Sequence, residues 1–181
     1  MDNKSLLRYL PIVGLLVLAS CARPPEYYPP PEQRTPIEGA DPGGAPEVLI
    51  GMGDTNATAH FVKDISLGLE GGSWRWTGQR PTLRVLLVTT KNLKFMTDFT
   101  LWEGAMTQTG PVTMSFYVGD HLLDRVRYET PGYKHFEKPV PAEWLQTATD
   151  TEIAMEIDKV YVSPNDGAKF GFILSQIGFV N

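Results

Sequence analysis

The chain has 181 residues, with 16 Lys and Arg against 21 Asp and Glu, and a formal net charge of −5 at pH 7. An acidic chain without a basic stripe argues against binding to nucleic acid or to the surface of anionic lipid. Cys21 is the single cysteine of the sequence, so no disulfide can form within the chain.

The first twenty residues have the pattern of a secretory signal peptide. Lys4 and Arg8 form a short basic start, and an apolar run extends from Leu10 to Ala19. This run is shorter than the roughly 20 apolar residues that a transmembrane helix needs, and it ends in small residues as a cleavage site does. A buried helix is the alternative, but a proline-rich stretch separates the run from the remaining sequence. We therefore predict a signal peptide over residues 1–20.

The apolar run ends in Leu18-Ala19-Ser20-Cys21, which resembles the lipobox of bacterial lipoproteins. The resemblance implies cleavage before Cys21, a diacylglyceryl group on its thiol and a further acyl chain, such as palmitate, on its amine. Stable anchoring takes more than one acyl chain, which this set of lipids would supply. Ala22 and Arg23 follow in place of Asp, which implies the outer membrane, facing the periplasm or the surface, if the host is Gram-negative. We expect a lipid-anchored protein of the cell envelope that has the bilayer as a partner.

Residues 21–46 are predicted to be the acylated cysteine and a tether. Eight of the 25 residues in 22–46 are proline, and such a composition cannot bury enough surface to fold. At about 3.1 Å per residue in polyproline II, the tether would span roughly 60–70 Å. We interpret it as a spacer, while Tyr27 and Tyr28 leave peptide recognition or a cell-wall contact as the alternative.

Residues 47–181 are predicted to form one folded domain with a hydrophobic core. Apolar residues recur with a period of two, the pattern of half-buried strands. The alternating runs cover residues 61–69, 83–88, 95–101, 112–118, 122–128, 153–157 and 170–180. The phase slips after the sixth run, which predicts a β-bulge near Asp158-Lys159.

Turn signals separate these runs. Gly119-Asp120 fits a two-residue hairpin, and Thr130-Pro131-Gly132 fits a turn with a positive φ after proline. Residues 163–167 are a strong breaker, and one short helix is predicted over 141–146, with Pro141 at its first position. About eight strands with frequent turns predict an all-β, antiparallel sandwich or barrel.

A series of short motifs supports a more specific fold. They are Gly71-Gly72-Ser73-Trp74-Arg75-Trp76-Thr77, Phe116-Tyr117-Val118-Gly119-Asp120-His121-Leu122-Leu123, Pro131-Gly132, Pro139-Val140-Pro141-Ala142, Asp158-Lys159-Val160-Tyr161-Val162-Ser163-Pro164 and Gly171-Phe172-Ile173-Leu174. Their order resembles the galactose-binding-like jelly-roll β-sandwiches of carbohydrate-binding modules and of accessory domains of bacterial envelope enzymes. The resemblance covers about residues 59–180 and implies a jelly roll that binds glycan.

Aromatic side chains are the candidate ligand-binding residues, since their rings could stack on sugars. They are Trp74, Trp76, Trp102, Tyr128 and Tyr133. Burial in the core is the alternative. Because Trp74 and Trp76 flank Arg75 in one strand, both point to the same face, and we expect at least one of them in the core.

Histidine, amide and carboxylate side chains are the candidates for metal binding or catalysis. The histidines His60, His121 and His135 are scattered, which does not predict a zinc site. Oxygen ligands in loops suit a structural calcium ion, although turn formation explains them equally; the candidates are Asp54, Asn56 and Asp166. Paired carboxylates could run glycoside hydrolysis, but each candidate fits a solvated strand face: Glu129, Glu137, Glu152 and Glu156. We predict no catalytic residue and no other cofactor.

Three hypotheses for function follow. We favour a membrane-anchored, non-catalytic β-sandwich that binds glycan or another envelope component. The alternative is a structural or assembly subunit that docks an envelope protein, and the second alternative is an enzyme similar to a glycoside hydrolase.

Overall fold

Residues 48–181 of the chain are described by a computed structural model. The predicted signal peptide (1–20), Cys21 and the tether (21–46) lie outside the described residues. Within residues 48–181, no helix is both long enough and apolar enough to span a membrane.

Most of the described chain is β-structure, as the alternating pattern predicts. The strands are β1 (Val48–Gly51), β2 (Phe61–Ile65), β3 (Arg75–Val85), β4 (Lys94–Leu101), β5 (Val112–Val118), β6 (His121–Tyr128), β7 (Gly132–Pro139), β8 (Thr151–Ile157), β9 (Tyr161–Val162), β10 (Lys169–Phe170) and β11 (Ile173–Val180). The helical segments are α1 (Glu103–Thr109) and the 3₁₀ helices Ala57–His60 and Ala142–Trp144.

The long strands form two antiparallel layers that share β3. In sheet A, β11 pairs with β4 and β4 with β7, while β1 and the start of β3 pair with the other edge of β11. In sheet B the order is β2, β3, β8, β5 and β6. Strand β3 pairs with β11 at Arg75 and Trp76 and with β8 from Thr82 onward. Between these two segments the pairing of β3 with β2 shifts register, from Thr77 opposite Ile65 to Thr82 opposite Lys63, and β3 passes there from one sheet to the other.

The hydrophobic core lies between the two layers. Phe95 of β4 contacts Phe116 of β5, with ring centroids 6.1 Å apart, and Phe136 of β7 stacks on Phe116 at 3.7 Å. Phe95, Phe99 and Phe116 are fully buried, as the alternation in their strands predicts. The predicted all-β sandwich is therefore confirmed.

Two of the predicted turns have the expected backbone. Gly119 joins β5 to β6 with a φ of 56°, and Gly132 follows Pro131 with a φ of 98°. These positive values are open to glycine at no steric cost. The Ser163–Gly167 segment is also a turn, closed by the Gly167 N–H donating to the Ser163 carbonyl oxygen at 2.9 Å.

Several predicted strand ends are wrong. Strand β2 ends at Ile65 and β3 ends at Val85, and beyond these ends Leu67, Leu86 and Val88 are exposed. Apolar residues that lie outside the ladder continue the alternating pattern, so periodicity alone overestimates the strand length.

The predicted bulge near Asp158-Lys159 is a strand end. Strand β8 stops at Ile157, and the chain leaves sheet B to form the small β9–β10 pair, in which Tyr161 faces Phe170. The change of phase therefore marks a change of sheet. The predicted helix over 141–146 is one short 3₁₀ turn.

Candidate functional site

Five aromatic side chains form a continuous group on the surface of the domain, which we call the aromatic cluster. Its members are Trp74, Trp76, Trp102, Tyr161 and Phe170. The Trp76 ring centroid lies 6.0 Å from Trp74, 6.0 Å from Trp102 and 5.3 Å from Phe170. Tyr161 lies 5.2 Å from Trp102. All four contacts are edge-to-face, an arrangement that the charge distribution of aromatic rings favours.

The aromatic cluster lies on the outer face of sheet A. Trp76 pairs with Ile173, and Ile173 pairs on its other side with Thr100. Residues in register on neighbouring strands project from the same face, whereas Phe99, the preceding residue of β4, points into the core and is fully buried. Trp102 follows the end of β4 and is 41% exposed.

Trp74, which precedes β3, and Trp76 of β3 share one face, as predicted, but that face is not the core. Trp74 and Trp76 are only half-buried and lie outside the hydrophobic core, so the expectation that one of them is a core residue is wrong. The buried position between them belongs to Arg75, which is 6% exposed. Its guanidinium donates to the carbonyl oxygens of Met52 at 3.0 Å and Leu67 at 2.5 Å. A buried cation needs such partners. Because the Arg75 side chain points inward to these carbonyl groups, the two neighbouring indoles lie on the opposite, outer face.

Two glycines leave room for the indole rings. A Cβ on Gly104 would lie 2.5 Å from two ring carbons of Trp102, and a Cβ on Gly71 would lie 2.9 Å from Nε1 of Trp74. Both distances are shorter than a van der Waals contact permits. Any larger residue at either position would displace the adjacent indole.

A hydrogen-bonded group, which we call the polar row, lies beside the cluster on the same face. Asp98 of β4 is in register with Gln176 of β11 and His135 of β7. Nδ1 of His135 lies 2.7 Å from Oδ1 of Asp98, and the Gln176 amide donates to Oδ2. Because a carboxylate only accepts, Nδ1 carries the proton, and Nε2 of a neutral His135 is left as an acceptor. Tyr133, two residues before His135 on β7, also acts on Asp98 and lowers the pKa of its carboxyl.

The polar row stabilises the ionised form of Asp98. Partial burial raises the pKa of this carboxyl, but the hydrogen bonds from Tyr133, His135 and Gln176 outweigh it, and the net pKa lies below the ordinary value. The bond to Asp98 in turn raises the pKa of Tyr133. Asp98 is therefore an anion at neutral pH that orients the side chains of His135 and Gln176.

Tyr133 extends the same face across sheet A. Tyr133 of β7 pairs with Thr100 of β4, and its side chain is 63% exposed. Trp76 and Tyr133 are three strand spacings apart, roughly 14 Å. Tyr128 is not part of this surface, because its ring packs on Phe99 at 5.6 Å, on the core side of sheet B.

Two of the three calcium candidates, Asp54 and Asp166, are engaged in their own turns. Oδ2 of Asp54 accepts from the Gly51 N–H at 2.7 Å, and Oδ1 of Asp166 accepts from the Ala168 N–H at 3.1 Å. Asn56 precedes the first 3₁₀ helix without a side-chain cap bond. In the described part of the chain no three His, Asp or Glu side chains are placed to hold a metal ion. The calcium site stays a prediction.

Three of the four carboxylates considered for hydrolysis form ion pairs on strand surfaces. Glu129 pairs with Arg127 at 2.7 Å, Glu137 with Lys94 at 2.8 Å and Glu156 with Arg80 at 3.2 Å. The fourth, Glu152, lies at the edge of a shallow pocket beside Trp144. Ion pairing of this kind explains why carboxylates occupy these solvated strand faces.

Sequence reasoning missed half of the candidate site. Tyr161 and Phe170 belong to a two-strand pair too short for a periodic signal, and Asp98, His135 and Gln176 are 37 or more residues apart along the chain. One signal was available in the sequence. The alternation of β4 places Asp98 on the face opposite to that of the buried Phe99, which indicates that Asp98 lies on the outer face of the sheet.

No family model and no curated protein matches the sequence. Among solved structures, a family 35 carbohydrate-binding module from an environmental isolate is similar at 10% identity, with a TM-score of 0.44, over 74% of this chain and 92% of that chain. A family GH115 4-O-methyl-α-glucuronidase with specificity for decorated arabinogalactans is similar at 10% identity and a TM-score of 0.37. That match covers 60% of this chain and 14% of the enzyme. Likeness at this level says nothing about a shared ligand.

Proposed function

We propose that the chain is a lipid-anchored, non-catalytic binding module that takes a glycan on the outer face of sheet A. One observation carries the proposal. The aromatic cluster and the polar row lie side by side on one sheet face, with Trp102 and Tyr133 exposed. Ligand sites combine apolar area with a few oriented polar groups in this way.

The two parts of the face complement the two sides of a sugar. The C–H face of a pyranose ring is apolar and packs on an aromatic ring, for which Trp102 has the most exposed indole of the cluster. Sugar hydroxyls both donate and accept hydrogen bonds. They find donors in the Gln176 amide and acceptors in Nε2 of His135 and in the oxygen of Tyr133. Because Asp98 already orients His135 and Gln176, little ordering of these two side chains remains when a ligand binds.

The anchor is the second part of the proposal and is supported by the lipobox sequence that ends at Cys21. Labelling cells with a palmitate analogue tests it. We expect the label on the full chain and its loss in the Cys21→Ala variant. A parent chain that stays unlabelled and partitions into the aqueous phase of a detergent extraction would contradict the anchor.

Binding of the full chain to a panel of envelope polysaccharides and defined oligosaccharides tests the ligand. We expect at least one glycan to bind, and Trp102→Ala to weaken it about tenfold or more, since a central anchor residue contributes upwards of about 1.4 kcal/mol. Leu86→Ala is the matched control, because Leu86 is another exposed apolar side chain and follows the end of β3 that pairs with β8 in sheet B.

Two results would contradict the glycan proposal. One is the absence of binding to the whole panel by a chain shown to be folded. The other is a single stoichiometric protein partner in crosslinks made in the native envelope, which would favour the assembly-subunit hypothesis.

A further inference from the structure

The outer face of sheet B carries a groove of its own, on the opposite side of the sandwich from the aromatic cluster. Its volume is about 290 Å³. The lining residues are Thr113, Ser115, Tyr117, Arg125, Glu156 and Asp158. None of them belongs to the candidate site on sheet A.

The alternation of β5 creates this groove. Thr113, Ser115 and Tyr117 occupy every second position and therefore line the same face. Ser115 is in register with Arg125 of β6 on one side and with Glu156 of β8 on the other. A short side chain between two long ones leaves a depression with charged walls.

The walls offer both donors and acceptors to a ligand. Nε of Arg125 donates to Oγ of Ser115 at 3.2 Å, and its two Nη atoms have no hydrogen-bond or ion-pair partner within residues 48–181. Oε2 of Glu156 contacts Arg80, and Oδ1 of Asp158 accepts from the Thr113 N–H at 2.7 Å. Each carboxylate thus keeps one oxygen for a further bond.

The charge balance selects the class of ligand. Two carboxylates would repel a phosphate or a sulfate, while the guanidinium groups of Arg125 and Arg80 would repel a polycation. The Arg80 guanidinium also covers the Tyr117 ring, 4.4 Å from its centroid, so that face of the ring is not open for stacking. What remains is a set of neighbouring donors and acceptors without a dominant charge.

We propose that this groove is a second binding site, which takes a neutral, hydroxyl-rich sugar ring. Adjacent hydroxyls of the ring accept from the Nη atoms of Arg125 and donate to the open oxygens of Glu156 and Asp158. Hydrogen bonds to charged groups are the stronger kind. The module would then hold two sugar units on opposite sheets and could bridge two glycan chains.

The test isolates this groove from the first site. The full chain carrying Trp102→Ala and Tyr133→Ala, which remove both exposed rings of the first site, is titrated by calorimetry with neutral hexaoses of glucose, mannose and xylose, and with a galacturonate oligomer as the charged comparison. We expect residual binding of at least one neutral probe. Adding Arg125→Gln should weaken that binding about tenfold or more, the loss of a charge-assisted bond.

Arg84→Gln is the matched control, since it removes the same charge from the outer face of sheet B at a position opposite Glu152 of β8, and neither of these residues lines the groove. Ser115→Val is a second variant, which fills the floor without changing charge. Thermal unfolding confirms that each variant is folded. Three results would overturn the proposal. The first is binding of a neutral probe that neither Arg125→Gln nor Ser115→Val weakens. The others are binding of galacturonate alone and the absence of any residual binding of a neutral probe.

The proposed function is judged separately, by comparing the parent chain with Trp102→Ala alone. The face on sheet A can therefore fail while the groove on sheet B is upheld, and the reverse also holds.

Discussion

Gly104→Ala is expected to displace the most exposed indole of the aromatic cluster while leaving the fold intact. The added Cβ would lie 2.5 Å from ring carbons of Trp102. Because Trp102 is 41% exposed, its ring can move outward instead of disrupting the core. The movement breaks its edge-to-face contacts with Trp76 and Tyr161, each of which contributes about 0.5–1.5 kcal/mol.

The net effect on stability is small because a second term opposes the loss. Gly104 is in helix α1, where alanine is favoured over glycine by about 0.8–1.0 kcal/mol. The two lost aromatic contacts together cost about 1–3 kcal/mol, so we expect a net destabilisation of roughly 0–2 kcal/mol. Glycan affinity should fall as far as in Trp102→Ala.

Near-UV circular dichroism, urea unfolding and calorimetric titration with the bound glycan measure these three effects. Gly68→Ala is the control, because its Cβ meets only Oγ of Ser66, at 3.4 Å. The packing described for Trp102 would be refuted by a Gly104→Ala variant with an unchanged aromatic spectrum and unchanged affinity.

Three further predictions concern the polar row, the core and the sheet. The folded pKa of Asp98 is depressed, so its stabilising effect is complete above the unfolded value of about 3.9 and is lost as pH falls through the folded pKa. The stability difference between parent and Asp98→Asn should therefore shrink below about pH 4, and urea unfolding at several pH values would show a constant difference if this is wrong. Thr77→Val should cost about 1–3 kcal/mol in urea unfolding, because the buried Thr77 hydroxyl donates to the Phe172 carbonyl at 2.9 Å and accepts from its N–H at 3.1 Å; an unchanged midpoint would contradict this. In Gly178→Ala the new Cβ collides with the Val48 backbone, so hydrogen exchange should show β1 released from β11, and full protection of β1 would count against that contact.

The sequence predicted the layers of the fold better than their edges. Residues such as Phe95, Phe99 and Phe116 alternate with polar ones, and alternation identifies a strand whose one face is buried. Strand β7 was missed because it lies at a sheet edge, where Phe136 is its single buried side chain. Helix α1 was missed because its cap residue is Trp102, which makes no side-chain cap bond.

The candidate site was predicted only in part, for a related reason. Trp74, Trp76, Trp102 and Tyr133 were chosen as rings, which composition shows directly. Trp74 and Trp76 would face the core if the residue between them were exposed. That residue, Arg75, is instead buried, so the two rings face outward. Its burial depends on carbonyl groups from Met52 and Leu67, contacts that no local pattern reveals.

The central claim is that glycan binds on the outer face of sheet A, and the indole signals of the full chain test it most directly. The chain has four tryptophans, so a titration with the bound glycan can follow four indole N–H resonances by NMR. Trp102 and Trp76 lie on the proposed face, whereas Trp144 stacks on His121 elsewhere. We expect the Trp102 and Trp76 signals to shift with one common affinity while the Trp144 signal stays fixed. A glycan that binds while the Trp102 and Trp76 signals stay unchanged would contradict the claim.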